Sequence, residues 1–118
     1  MLTQTELLTK KGAYIQQMFG SIARVYDLLN TILSFNFDKS WRKFAVKVSN
    51  VAQDSRVLDV CTGTGDLAIA YSRVLNGSGR VIGSDFCHEM VRLADRKLKK
   101  RNLSGKIKVI EADTLHLP

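Results

Sequence analysis

Arg56-Val57-Leu58-Asp59-Val60-Cys61-Thr62-Gly63-Thr64-Gly65-Asp66-Leu67-Ala68 is the stretch from which the rest of the chain is read. Its first five residues form a short apolar run with β-branched members, which reads as a buried strand. The glycines after it read as a tight turn that lets a ligand approach the backbone. Asp66 reads as the N-cap of a helix reaching about Leu75. Downstream, Asn76-Gly77-Ser78-Gly79 is a loop and Arg80-Val81-Ile82-Gly83-Ser84 a second strand. His88 to Arg101 forms a helix whose apolar side is Met90, Val91, Leu93, Ala94 and Leu98. A turn over Asn102 to Gly105 leads to a third strand, Lys106-Ile107-Lys108-Val109-Ile110. The fold class is therefore α/β, a β-α-β-α-β unit that is half of an open parallel sheet, with strand order 3-2-1 from right-handed crossovers.

Upstream of this unit the periodicity changes. Ile15, Phe19, Ile22, Tyr26, Leu29 and Leu33 advance by alternating steps of four and three, one face of a helix. Gly20 is a candidate break within it. A further helix starts near Asp38 and carries Trp41, Phe44, Ala45 and Val48, and core packing is the ordinary reading of both stripes. Two regions result: a helical segment, residues 1–50, and an α/β unit, residues 51–118, that reads as truncated after its third strand. Strand 1 has no neighbour on its outer side, an edge that invites self-association. One sheet face also lacks enough helices to cover it.

Hydrophobic residues make up 45% and charged residues 25% of the 118, which excludes a disordered chain. No apolar run approaches the roughly 18 residues of a membrane span. The N-terminus lacks a signal pattern, and Cys61 and Cys87 make neither a disulfide framework nor a metal-binding spacing, so a cytoplasmic setting and no metal are expected. The net charge is +7, with Arg92, Arg96, Lys97, Lys99, Lys100 and Arg101 crowded together, which reads as a solvated helix face. Residues 88–108 hold no aromatic ring for base stacking, so no specific nucleic-acid partner is expected. Peripheral contact with an anionic membrane remains open.

Gly63, Gly65 and Ala68 match the G-x-G-x-x-G/A of dinucleotide folds, and Asp85 stands twenty residues past Gly65, where a ribose-binding acid belongs. Asp59 separates that reading from another. A carboxylate at the end of the strand repels a pyrophosphate but suits a ligand with a positive ammonium group. S-adenosylmethionine is such a ligand. Asp59 would meet its ammonium, Asp85 its ribose hydroxyls and Asp113 its adenine amino group, along the carboxyl edge of the sheet. Each acid has a plainer alternative: Asp59 holding a backbone turn, Asp85 capping the next helix, Asp113 an ordinary turn residue. The dinucleotide-binding module also stays open.

These residues resemble the ubiquinone/menaquinone biosynthesis C-methyltransferases, a family of class I S-adenosylmethionine-dependent enzymes with a Rossmann-like sheet. The likeness spans about residues 14–118. Tyr26-Asp27, Asn30, Leu33-Ser34 and Trp41 stand at the spacings of the family's first signature, with Leu29 in place of its usual methionine and Asp38 in place of its histidine. Val57 to Ala68 is nearly the family's glycine-loop string. Gly83-Ser84-Asp85-Phe86 and Ala112-Asp113 look like its next cofactor segments. The resemblance implies that Thr62, Asp85, Phe86, Asp113 and Thr114 contact the cofactor beside Asp59, Gly63 and Gly65. It implies C-methylation of a prenylated quinol, with the family's second signature absent. Phe19, Tyr26 and Trp41 are candidates to hold the quinol ring. No general base is assignable; Tyr26, Asp27 and His116 are weak candidates. A cofactor-binding fragment without turnover is the remaining alternative.

Overall fold

The computed structural model describes residues 3–22 and 37–117. The expected positions of Tyr26, Asp27, Leu29, Asn30, Leu33 and Ser34 lie outside the described residues. The elements are α1 (Gln4–Ile22), α2 (Phe37–Ser49), β1 (Arg56–Val60), α3 (Asp66–Ser72), β2 (Arg80–Asp85), α4 (His88–Lys100) and β3 (Ile107–Glu111), then a single 3-10 turn, Thr114–His116. All three strands are parallel and lie in the order β1-β2-β3, as the crossover reading expects. Asp59 stands opposite Gly83, Val60 opposite Ser84, and Asp85 opposite Glu111.

Both crossover helices pack on one face of this sheet. Val57, Val81, Ile107 and Val109 alternate onto that face and meet Ala68 and Ile69 of α3 and Leu98 of α4, with Leu75 from the following loop. Ala68, Leu75, Val81 and Leu98 are at most 1% exposed. The alternate positions look the other way. Leu58, Val60 and Ile82 are 53%, 38% and 42% exposed, although parallel strands are ordinarily covered on both faces. Among the described residues β1 has no neighbour on its outer edge.

α1 opens with a capping box: the Thr3 N–H donates to Glu6 Oε2 (2.7 Å) and the Glu6 N–H to Thr3 Oγ1 (3.2 Å). The helix runs through Gly20, where the sequence offers a break, to Ile22. Its Phe19 packs with Cys87, Met90 and Leu93, which docks α1 on α4. α2 lies against α3 and buries Val46. The core role expected of its apolar stripe is not what the structure has. Phe37, Trp41, Phe44 and Val48 point outward at 61–75% exposure. The helical repeat identifies an apolar side; it does not choose which side meets the protein.

Candidate functional site

The glycine loop and the ends of all three strands meet at the carboxyl edge of the sheet. Asp59 comes from β1 and is 8% exposed. The Thr62 hydroxyl donates to its Oδ2 at 2.6 Å. Burial pushes the Asp59 carboxyl up from its ordinary value of 3.8, and the bonds from the Thr62 hydroxyl and the Ala68 backbone pull against that, while the Asp85 charge pushes it further up. Asp85 ends β2. Its Oδ2 accepts from the Gly63 N–H and its Oδ1 from the Cys87 N–H, both at 2.9 Å. One carboxylate thus ties the glycine loop of one strand to the helix start of the next. Each oxygen keeps a further lone pair for a ligand.

The loop backbone is shaped for this. Gly63 (φ 59) and Gly65 (φ 92) adopt left-handed conformations that need no side chain. The Thr62 N–H donates to Ser84 O (2.9 Å) and the Gly65 N–H to Thr62 O (3.0 Å). With Gly63 bonded to Asp85, these three donors are spent inside the protein. Gly65, not Asp66, occupies the N-cap of α3, because its positive φ turns the chain into the helix. Asp66 is the first helical residue and pairs with Lys97 at 2.9 Å. Lys97 Nζ also donates to Thr64 Oγ1 at 3.0 Å, so it braces the loop rather than joining a wholly solvated charge run.

Asp113 follows β3 and is exposed. Its Oδ1 accepts from the Leu115 N–H at 3.0 Å and its Oδ2 lies 3.3 Å from His116 Nδ1. Those two contacts hold its carboxyl below the ordinary value. It therefore caps the 3-10 turn, the plainer role open to it, and keeps lone pairs toward solvent. Thr114 begins that turn, with its Oγ1 3.8 Å from Cys61 Sγ. An open crevice of about 510 Å³ is lined by Gln16, Phe86, Glu111, Ala112 and Asp113. A larger hollow of about 1220 Å³ between α2 and α3 is walled by Lys39, Arg42, Lys43, Lys47 and Arg73. Size favours the hollow, but the acids lie at the sheet edge: Glu111 and Asp113 line the crevice there, while Asp59 and Asp85 are buried beside the glycine loop and do not line it.

The structure brings Asp59, Thr62, Gly63 and Asp85 into one hydrogen-bonded group, with Gly65 turning the loop beside it, and sets Phe86 and Asp113 on one crevice. Phe19 and Trp41 do not line that crevice: Phe19 is packed on Met90, and Trp41 is 75% exposed on α2. Two contributors have no local signal in the sequence. A Cβ on Gly83 would stand 2.7 Å from Thr62 Oγ1 and 3.0 Å from Thr62 Cβ, so the threonine fits only because β2 has a glycine there. Gln16 donates from α1 to Phe86 O at 2.8 Å and holds that loop in place. No group of metal-ligating residues occurs among the described residues.

Comparison with known proteins agrees with this architecture. Residues 7–118 match the model of the ubiE/COQ5 methyltransferase family. A ubiquinone/menaquinone biosynthesis C-methyltransferase of Geotalea daltonii is 44% identical over 111 residues, 94% of this chain and 47% of the relative. A 2-phytyl-1,4-naphtoquinone methyltransferase of Synechocystis is 42% identical over 104 residues, 88% of this chain and 44% of the relative. The chain thus spans about half the length of the curated relatives it matches. Among solved structures, a SAM-dependent methyltransferase from Aquifex aeolicus superposes with TM-score 0.60 at 27% identity, over 65% of this chain and 40% of that one. A methyltransferase structure from Methanococcus maripaludis covers 84% of this chain and 44% of its own with TM-score 0.69; at 21% identity it speaks to the fold alone.

Proposed function

The chain belongs to the ubiE/COQ5 methyltransferase family, and on that premise we propose that it carries the S-adenosylmethionine-binding part of an enzyme that methylates a ring carbon of a prenylated quinol. In this reading residues 51–118 form the cofactor half-domain and residues 1–50 a covering segment. The substrate class comes from the relatives, whose names place them on ubiquinone, menaquinone and phytyl-naphthoquinone.

One observation carries the cofactor: the Gly63 N–H is bonded to the Asp85 carboxylate. A loop that cradles phosphate keeps such donors free for the anion. Here a carboxylate has taken the donor, and a second, Asp59, stands behind it. A diphosphate would meet two negative charges and few open N–H groups. A guest with a positive ammonium and sulfonium would instead favour the charged form of Asp59, which burial chiefly, and the Asp85 charge in addition, disfavour.

Bound there, S-adenosylmethionine supplies an electrophilic methyl group to the quinol carbon. This chain's residues bind and orient. Asp59 holds positive charge at the base of the loop, with Thr62 fixing its carboxylate. Asp85 offers its remaining lone pairs to the ribose hydroxyls. Asp113 and the half-exposed Phe86 ring form the adenine end of the crevice, with Thr114 next to Asp113 in the chain. Alignment of donor and acceptor, rather than acid–base power, is what such a site contributes most.

The test is calorimetry with S-adenosylmethionine and with NADH, followed by methyl transfer from labelled cofactor to a demethylmenaquinol by the gene product that contains these residues. Binding of the sulfonium compound alone is expected, and Asp85→Asn should weaken it by about tenfold or more, the loss of a charge-assisted bond. Preferential binding of NADH, or labelled methyl on no quinol, would overturn the reading.

A further inference from the structure

The hollow between α2 and α3 takes no part in the sheet-edge site, and its lining has a chemistry of its own. Seven cationic side chains and one acid surround about 1220 Å³ of open space. Arg42 is paired with Asp38 at 3.1 Å, and Lys97 with the one lining acid, Asp66, at 2.9 Å. Lys39, Lys43, Lys47, Arg73 and Arg101 are exposed and make no ion pair among the described residues. Like charges gathered on one concave surface repel each other and focus a field that draws in an anion.

A plainer role accounts for only part of this set. Lys47 lies in the last turn of α2, and Arg73 and Arg101 are the C-caps of α3 and α4, where a cation complements the helix dipole. Lys39 stands in the first turn of α2, where the dipole disfavours a cation, and Lys43 stands mid-helix. Lys39, Lys43 and Lys47 recur every four residues and so run along one wall of the hollow for about 12 Å. The Tyr71 hydroxyl donates to Ser49 Oγ at 3.1 Å, which sets the ends of α2 and α3 side by side, with Lys47 and Arg73 at one end of the hollow.

Apart from its charges the lining is largely aliphatic: Val46, Val51, Ile69, Ala70 and Val74. Val74 is 43% exposed and offers open apolar surface. No aromatic ring lines the space, so a nucleobase finds nothing to stack on. Cations beside aliphatic surface fit a ligand with an anionic head and an aliphatic body. Several lysine and arginine donors favour a head with two charges and three acceptor oxygens, a phosphate over a carboxylate.

We infer that the hollow between α2 and α3 binds a small amphiphilic anion, an aliphatic phosphate ester, with its phosphate between Lys47 and Arg73 and its chain against Val51, Ala70 and Val74. The inference is independent of the methyltransferase reading, because Asp59, Asp85 and Asp113 do not line this space.

The experiment is calorimetry on the 118-residue chain with no S-adenosylmethionine or quinol present. Octyl phosphate, below its micelle-forming concentration, is compared with inorganic phosphate, octanoate and octanol. Octyl phosphate should bind about tenfold tighter than inorganic phosphate, the burial of about two methylene groups. Octanoate should bind several-fold more weakly than the ester, and octanol should give no binding heat. Lys47→Gln and Arg73→Gln should each weaken octyl phosphate by about fivefold or more, and added salt should act in the same direction. Val74→Ser should remove most of the ester's advantage and leave inorganic phosphate unaffected. Lys108→Gln, at an exposed lysine on the sheet face turned away from α3 and α4, should change nothing. All four substituted side chains are exposed, so circular dichroism should match the parent throughout and a loss of binding is not a loss of fold. Three results would overturn the inference: no binding of octyl phosphate, inorganic phosphate or octanoate binding as tightly as the ester, or equal losses in Arg73→Gln and Lys108→Gln, which would reduce the site to general charge attraction.

Discussion

Gly83→Ala tests the packing that holds the loop acids. The new methyl would stand 2.7 Å from Thr62 Oγ1 and 3.0 Å from Thr62 Cβ and Cγ2. Thr62 is 8% exposed and its hydroxyl is bonded to Asp59 at 2.6 Å, so it cannot retreat without breaking that bond. Overpacking of this kind costs about 1–3 kcal/mol. Withdrawing the donor from a buried carboxylate costs a further 1.5–3 kcal/mol or so. Replacing glycine in a strand returns about 0.5–1 kcal/mol of chain entropy. The net is a loss of about 1.5–5.5 kcal/mol, a fall in Tm of roughly 5–25 °C for a domain of this size. The assay is urea unfolding of Gly83→Ala, Thr62→Ala and the double variant. Once Thr62 is truncated most of the obstruction is gone, so Gly83→Ala in the Thr62→Ala background should cost no more than about 1 kcal/mol, and the cycle should show strong coupling. An additive cycle, or a Gly83→Ala protein within about 0.5 kcal/mol of the parent, would refute the close-approach argument.

Asp59→Asn should make stability less dependent on pH. Burial raises the folded pKa of Asp59 above 3.8, so its contribution is greatest below that value and declines as pH rises through the folded pKa. The amide still accepts from Thr62, so urea midpoints across pH 3.8 and above should fall less in the variant than in the parent; equal slopes would count against a raised pKa. Ser84→Ala should raise stability by about 1 kcal/mol in the same assay, because Ser84 Oγ is buried without a hydrogen-bond partner. Leu98→Ala should cost about 2–5 kcal/mol, since this 1% exposed residue joins α4 to the sheet core. A loss below 1 kcal/mol would mean α4 is not seated as described.

The β-α-β-α-β unit is legible because its signals are local. Val57, Val81 and Ile107 sit in short apolar runs, and Gly63, Gly65 and Gly77 punctuate them. Asp59, Asp85 and Asp113 are legible as acids closing successive strands, which the observed parallel register places at one edge. What those acids do to the protein itself is not. Asp85 bonding both Gly63 and Cys87 depends on two backbone segments brought together by the register of β1 and β2. Gly83 has the same difficulty: a strand glycine carries no mark of the threonine that another strand will lay over it. Gly65 displaced Asp66 from the cap because a left-handed φ decides the helix start before side-chain chemistry does. On α2, periodicity located the stripe of Trp41 and Phe44 but could not say that it faces away from α3.

The one-sided placement of α3 and α4 has a consequence for motion. β2 is bonded along both edges, while among the described residues β1 is bonded along one and β3 along one. Amides of Val81 to Ser84 should therefore exchange with deuterium last, and the outward amides of β1 first, because among the described residues they have no strand to bond and Leu58 and Val60 stand open to solvent. The sheet opens from its flanks toward its middle, and the strand that ends in Asp85 is the last to let go.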